Sequence, residues 1–144
     1  MIVVADTCAI LAAYDEDDAD SAGCERVLNE ASLVVVSPLA LAELDHMGTA
    51  RFGREGACFI LGEIRRNAGA LRYVIPEITV DMLDQAEGVR DRYADLDLDL
   101  ADAVVAVLAA EYRTDTVLTT DRRDFRAIRP LTHHKAFRLL PDDA

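Results

Sequence analysis

Four acidic side chains lie within or directly after apolar segments of the chain, where acidic residues are uncommon. They are Asp6, Glu43, Asp102 and Asp121. An ionised carboxylate in apolar surroundings is costly unless it accepts hydrogen bonds, pairs with a cation or binds a metal ion. Four such residues in one chain therefore predict a shared cation.

The expected cation is a hard divalent metal ion. Clustered carboxylates repel one another and take up protons unless a cation is present. Oxygen-only ligands favour Mg²⁺, and Mn²⁺ is compatible with the same ligands. Such an ion lowers the pKa of a bound water molecule and offsets charge on a leaving oxygen. The acids therefore indicate hydrolysis of a phosphodiester.

Each acid also has a structural alternative. Asp6 could cap a helix beginning at Thr7, and Asp121 could cap the turn beginning at Arg122. For Glu43 a purely solvated position is disfavoured, because three of its four helical neighbours are apolar. Asp102 lies near the start of a predicted helix that is apolar around most of its circumference beyond this residue, which favours ligation or catalysis over a structural hydrogen bond.

Alternating strands and helices are predicted to position these acids. The predicted strands are residues 2–5, 33–36, 71–75 and 116–118, with short edge strands near Ile128 and at 137–140. The predicted helices are residues 7–14, 19–31, 39–47, 51–67, 99–112 and one beginning after Thr79. Such alternation implies βαβ units and a parallel sheet covered by helices on both faces. Ligands bind outside the carboxyl ends of such strands, where Asp6 and Asp121 stand.

Length and composition predict one compact domain over residues 1–144, since 51% of the residues are hydrophobic. No apolar run approaches the roughly 20 residues of a membrane span, and the first apolar stretch lacks the basic lead-in of a signal peptide. The three cysteines are widely spaced and predict reduced thiols. We therefore expect a cytoplasmic protein without a membrane partner.

The charge distribution bears on nucleic-acid binding. A formal net charge of −12 opposes binding by bulk attraction to phosphates. Residues 113–138, however, contain seven basic residues against three acidic ones, so a basic rim could flank an acidic pocket. An ordinary solvated charged surface explains the same pattern.

Four motifs carry a resemblance to a known family. They are Val-Val-Ala-Asp-Thr-Cys-Ala-Ile-Leu at 3–11, Ser-Pro-Leu-Ala-Leu-Ala-Glu-Leu at 37–44, Leu-Ala-Asp-Ala at 100–103 and Leu-Thr-Thr-Asp-Arg-Arg-Asp-Phe at 118–125. In order and spacing the chain resembles PIN-domain ribonucleases nearly end to end. Through residues 120–126 and Arg129-Pro130 it most resembles the VapC toxins of bacterial toxin–antitoxin pairs.

The resemblance implies a three-layer αβα fold with a central, mostly parallel twisted sheet of about five strands. It further implies a Mg²⁺- or Mn²⁺-dependent endoribonuclease, inhibited by a VapB-like antitoxin and forming a homodimer. The metal-binding and catalytic positions of the family correspond to Asp6, Glu43, Asp102 and Asp121. An antitoxin would lie in a groove between helices 19–31 and 51–67.

Several further residues are expected to support the site. Thr7 and Thr120 match positions near the pocket and could orient water or ligand. Asp99 adds charge beside Asp102 where the family often has glycine, and Asp124 is interpreted mainly as structural. Three arginines could contact RNA phosphates or form surface salt bridges instead; they are Arg122, Arg123 and Arg126.

Two other functions remain open from the sequence. The chain could be a catalytically silent PIN-like interaction module, although it keeps all four acids. It could also be another acidic-pocket, Mg²⁺-dependent phosphotransfer domain. That class fits poorly, because Asp6-Thr7-Cys8 lacks the second aspartate of a DxD motif and Lys135 is the only lysine available as a phosphate partner.

Overall fold

The computed structural model describes residues 1–144, and a five-stranded sheet forms its centre. The strands are β1 (Ile2–Ala5), β2 (Leu33–Val35), β3 (Tyr73–Val74), β4 (Thr116–Leu118) and β5 (Arg138–Leu140). The helices are α1 (Thr7–Ala13), α2 (Ser21–Glu30), α3 (Pro38–Gly69), α4 (Val80–Arg92), α5 (Leu100–Glu111) and α6 (Arg122–Ala127), with a 3₁₀ turn at Ala94–Leu96.

The strand order is β3-β2-β1-β4-β5, and every neighbouring pair is parallel. The chain moves outward from β1 to β3 on one side, then returns to place β4 and β5 on the other side. The topological switch point therefore lies between β1 and β4, where open α/β sheets bind ligands. The predicted α/β class with a central parallel sheet is confirmed.

Two apolar cores cover the two faces of the sheet. Val3 and Ala5 of β1 point into a core formed with α1, α2 and α3. Val4, between them, points into the other core, formed with α4, α5 and α6. Successive strand residues face opposite sides of a sheet, so an unbroken apolar strand requires a helix layer on each side. The three-layer arrangement follows directly from this requirement.

The long helix α3 differs from the prediction of two helices separated near residues 48–50. Helical conformation continues through this region and is interrupted at Gly53, which has φ 79° and ψ 169°. Glycine adopts this left-handed φ without a Cβ clash. Gly48 has a packing role instead: a Cβ there would lie 3.4 Å from the Cβ of Ala57. The two halves of α3 therefore pack directly against each other at Gly48.

Two strand predictions require correction. The strand predicted at 71–75 is confined to Tyr73–Val74, because Leu71 has a φ of 62° and forms part of a turn. No strand forms near Ile128, which instead ends α6 and lies buried in the core of α4, α5 and α6. Its apolar character reflects packing and not sheet pairing.

Cys8, Cys24 and Cys58 are all free thiols. None of the helices combines the length and apolar character that crossing a membrane requires.

Core packing on α5 generates the first prediction. Leu108 is fully buried within the α4–α5–α6 core. Leu108→Ala should lower the free energy of unfolding by about 2–5 kcal/mol, because it removes apolar contacts and leaves a cavity. Urea denaturation monitored by circular dichroism measures this loss.

Leu71→Ala is the matched control, since Leu71 is 83% exposed. Its effect should stay within about 0.5 kcal/mol. Equal losses from both variants would contradict the assignment of the core.

Candidate metal centre

The predicted acids converge at the carboxyl end of the sheet. Asp6 directly follows β1, and Asp121 comes three residues after β4, the strand paired with β1. Asp102 lies in the first turn of α5, and Glu43 lies in the second turn of α3. Asp6 is 5% exposed and the other three are half-buried. The centre is thus assembled from four separate elements around the topological switch point.

Three carboxylates form the tightest part of the centre. One oxygen from each of Asp102, Asp121 and Asp124 lies within 4.8 Å of the others. Asp124 was interpreted from the sequence as mainly structural, whereas its carboxylate joins this group. The three-residue spacing from Asp121 was the available signal, because residues three apart in a helix lie on the same face.

Thr119 connects Asp6 to the segment that carries Asp121. Its buried hydroxyl donates to Asp6 Oδ2 at 3.0 Å and accepts from the Asp121 amide at 2.9 Å. The Cys8 thiol also donates to Asp6 Oδ2, at 3.3 Å. Thr7 and Thr120 were the supporting hydroxyls expected from the sequence; the position of Thr119 directly after a buried strand could have identified this third one. Thr119 therefore fixes the orientation of one acid and the backbone of another.

Asp6 and Asp121 were both candidates for helix capping, and only Asp6 caps its helix. Asp6 does cap α1, because its Oδ1 accepts from the Thr7 amide at 2.8 Å. Asp121 precedes α6, but its side chain makes no capping hydrogen bond. The Asp121 carboxylate is therefore available to another ligand. Asp6 combines a structural hydrogen bond with a place beside the centre.

Glu43 and Asp99 each accept a hydrogen bond from a residue of the centre or beside it. Thr7, also buried, donates its hydroxyl hydrogen to Glu43 Oε1 at 2.8 Å. Exposed Asp99 caps α5, accepting through Oδ1 from the Asp102 amide at 2.8 Å. Asp99 therefore has a structural role that accounts for its position next to Asp102. Thr120 is half-buried beside them, and its carbonyl accepts from Arg122 Nη1 at 3.2 Å.

Burial and mutual repulsion dominate the electrostatics of the centre. Burial, followed by the charges of Asp6, Asp99, Asp121 and Asp124, raises the pKa of Asp102 to about 8. Burial also raises the pKa of Asp6, an effect that its hydrogen bonds oppose and the Glu43 charge reinforces. In Asp124, burial and the Asp121 charge raise the pKa. Burial is the largest cause of each of these pKa shifts, and repulsion between the carboxylates adds to it.

The donor set fits a hard divalent cation. None of the seven ion pairs of the protein includes Asp6, Glu43, Asp102, Asp121 or Asp124. The donors are carboxylate oxygens, which hard divalent ions prefer. Asp102, Asp121 and Asp124 are close enough to share one ion, with Asp6 beside them. The chemistry of these side chains therefore matches that of a metal centre.

The three arginines near the end of the fourth motif have unequal environments. Arg122 pairs with Asp142 and, at 3.0 Å, with Asp20. Arg126 binds Asp143 through two hydrogen bonds of 2.7 Å. Exposed Arg123 forms no ion pair. Two of the three predicted RNA contacts are therefore already bound to carboxylates.

The sheet and the acids define a doubly wound α/β protein with an acidic centre at its switch point. Comparison with known proteins identifies the family within this class. The sequence model of the PIN domain family matches residues 3–130. The chain is 35% identical to ribonuclease VapC26 of Mycobacterium tuberculosis over 130 residues, which cover 90% of this chain and 93% of that protein. The chain belongs to the PIN-domain family.

Solved structures share the fold at low sequence identity. VapC20 of Mycobacterium tuberculosis, described as a sarcin–ricin loop cleaving toxin, matches with a TM-score of 0.70 and 17% identity, over 81% of this chain and 87% of that one. VapBC2 of Rickettsia felis, bound to a promoter DNA fragment, matches with a TM-score of 0.63 and 15% identity, over 96% and 98% of the two chains. A Klebsiella pneumoniae toxin–antitoxin complex matches with a TM-score of 0.60 and 20% identity, over 92% and 98%.

The raised pKa of Asp102 predicts how the stability of the metal-free protein depends on pH. Between an unfolded pKa near 3.8 and a folded pKa of about 8, the folded state binds more protons than the unfolded state. The free energy of unfolding therefore falls as pH rises through this interval. In EDTA, wild-type protein should lose stability relative to Asp102→Asn from about pH 5 to pH 8.

Thermal unfolding of both proteins across this pH range measures the difference. A stability difference that does not vary with pH would contradict the proposed electrostatics. Saturating Mg²⁺ should reduce the loss in the wild type, since a bound cation offsets the repulsion.

The Thr119 hydroxyl provides a prediction about metal affinity. Thr119→Val removes the hydrogen bond to Asp6 and the acceptor for the Asp121 amide while preserving side-chain shape. Affinity for Mn²⁺ should fall roughly 10- to 100-fold, as is typical when a residue that orients metal ligands is changed. Isothermal titration calorimetry measures this affinity.

Thr119→Ser is the control, because it retains the hydroxyl and should keep most of the affinity. An equal loss in both variants would indicate that Thr119 acts through packing alone.

Proposed function

We propose that this protein is a metal-dependent endoribonuclease that acts as the toxin of a toxin–antitoxin pair. The observation that carries this proposal is a cluster of three carboxylates without a basic partner at the switch point of a PIN-domain sheet, those of Asp102, Asp121 and Asp124. The name of the curated relative, ribonuclease VapC26, supports RNA as the substrate. A cytoplasmic location is part of the proposal, since RNA is the substrate class.

Asp102, Asp121 and Asp124 would hold the ion, which we propose to be Mg²⁺ or Mn²⁺. When bound, such an ion lowers the pKa of water and offsets charge on the leaving oxygen of the phosphodiester. Asp6 faces this group in one fixed orientation, because Thr119, Cys8 and the Thr7 amide all hydrogen-bond to it. Thr7 similarly orients Glu43. We assign positioning of the attacking water to the group and not to one acid.

In the proposed complex the antitoxin lies along α2 and the second half of α3, and its basic tail enters the acidic pocket. A cavity of about 180 Å³ lies between α1, α2 and the second half of α3, and its lining includes Tyr14, Leu28 and Glu63. We propose that the antitoxin covers this cavity. The toxin–antitoxin complexes among the solved structures support a VapB-like partner. A homodimer remains part of the proposal by family resemblance.

The function is tested by incubating purified protein with total cellular RNA. We expect discrete fragments in Mg²⁺ or Mn²⁺ and no cleavage in EDTA. Asp6→Asn and Asp102→Asn should each lower the cleavage rate by at least about 100-fold, because they remove charge that stabilises the cation. Denaturing gels or sequencing of fragment ends measures the products.

Arg26→Gln is the control, since Arg26 is exposed on α2 and forms no ion pair. It should cleave at the wild-type rate. Cleavage that persists in EDTA or in Asp102→Asn would indicate a contaminating nuclease. Binding of metal without any cleavage would favour the interaction module.

A further inference from the structure

The three arginines of α6 differ in whether they pair with a carboxylate: Arg122 and Arg126 do, and Arg123 does not. The Arg122 guanidinium contacts Asp142 and Asp20 and also donates to the Thr120 carbonyl. Arg126 contacts both carboxylate oxygens of Asp143. The donors of Arg122 and the two terminal nitrogens of Arg126 are thus engaged within the protein.

Helix geometry explains this division. Residues four apart lie on the same face of a helix, so Arg122 and Arg126 both face the segment at 142–143. Arg123 is rotated by about 100° from Arg122, toward the side that Asp124 occupies. Asp143 also accepts from the Leu139 amide at 2.8 Å, which anchors this segment to β5. Arg122 and Arg126 therefore attach α6 to the sheet.

Arg123 lies directly beside the acidic centre in the chain. It precedes Asp124, one of the three clustered acids. Its guanidinium is exposed and free of any carboxylate partner. Arg123 therefore offers an unpaired cation one residue from the clustered acids.

We propose that Arg123 binds an RNA phosphate beside the metal centre, while Arg122 and Arg126 are positioning residues that hold α6. This inference rests on the proposed ribonuclease function. A chain of net charge −12 repels RNA overall. An unpaired arginine beside the acidic centre would attract an RNA phosphate locally against this repulsion. The planar guanidinium is suited to phosphate because it presents several donors in one plane.

The test measures binding of a fluorescein-labelled, random-sequence single-stranded RNA across a series of KCl concentrations. All variants carry Asp102→Asn, which prevents cleavage without touching the arginines. Arg123→Gln should weaken binding roughly three- to tenfold and reduce the slope of log affinity against log salt by about 0.7, as expected for one lost phosphate contact. Arg26→Gln, which removes an exposed unpaired arginine on α2, should change neither quantity.

Arg122→Gln should act differently. It should lower the melting temperature and leave the salt slope unchanged, whereas Arg123→Gln should melt like its parent. Equal effects of Arg123→Gln and Arg26→Gln on RNA affinity would overturn the inference. So would a reduced salt slope in Arg122→Gln with an unchanged melting temperature, or the absence of salt-dependent binding in every variant.

Cleavage of total cellular RNA, with Asp102 intact, separates this inference from the proposed function. Cleavage by the wild type with equal rates for Arg123→Gln and Arg26→Gln would count against the arginine contact alone. Binding that depends on Arg123 without any wild-type cleavage would count against the nuclease and leave the contact standing.

Discussion

Mutual repulsion among carboxylates is the constraint on which the structure of this protein depends. Asp102 has a pKa of about 8 because it is partly buried and four other acids act on it. No arginine or lysine is paired with the clustered acids to relieve this repulsion. The rest of the fold must therefore supply enough stability to hold like charges together. Two apolar cores, one on each side of the sheet, supply it.

The topology of the sheet explains how distant acids meet. β1 and β4 are paired in parallel although more than a hundred residues separate them in the chain. Their carboxyl ends therefore lie side by side, and the residues that follow them share one site. Thr119 completes this junction by bonding to both Asp6 and the Asp121 amide. Among the basic residues nearby, Arg122 and Arg126 pair with carboxylates, whereas Arg123 forms no ion pair.

Much of this arrangement could be predicted from the sequence because it depends on short-range patterns. The continuous apolar strand before Asp6 occurs as expected, and a helix follows the second strand, with Ser37 as its N-cap and Pro38 in its first turn. The less predictable features depend on tertiary contacts. The bend at Gly53 and the glycine contact at Gly48 depend on how two halves of one helix pack. Likewise, only the fold shows that Asp124 joins the centre and that Arg122 and Arg126 face away from it.

The most direct test of the account is the position of a bound metal ion. Crystals of the protein soaked in Mn²⁺ allow the ion to be located from its anomalous scattering. We expect an anomalous peak among the carboxylates of Asp102, Asp121 and Asp124, with Asp6 next to it. Ordered acids with no peak between them, or a peak only at another surface, would contradict the assignment of this cluster as a metal centre.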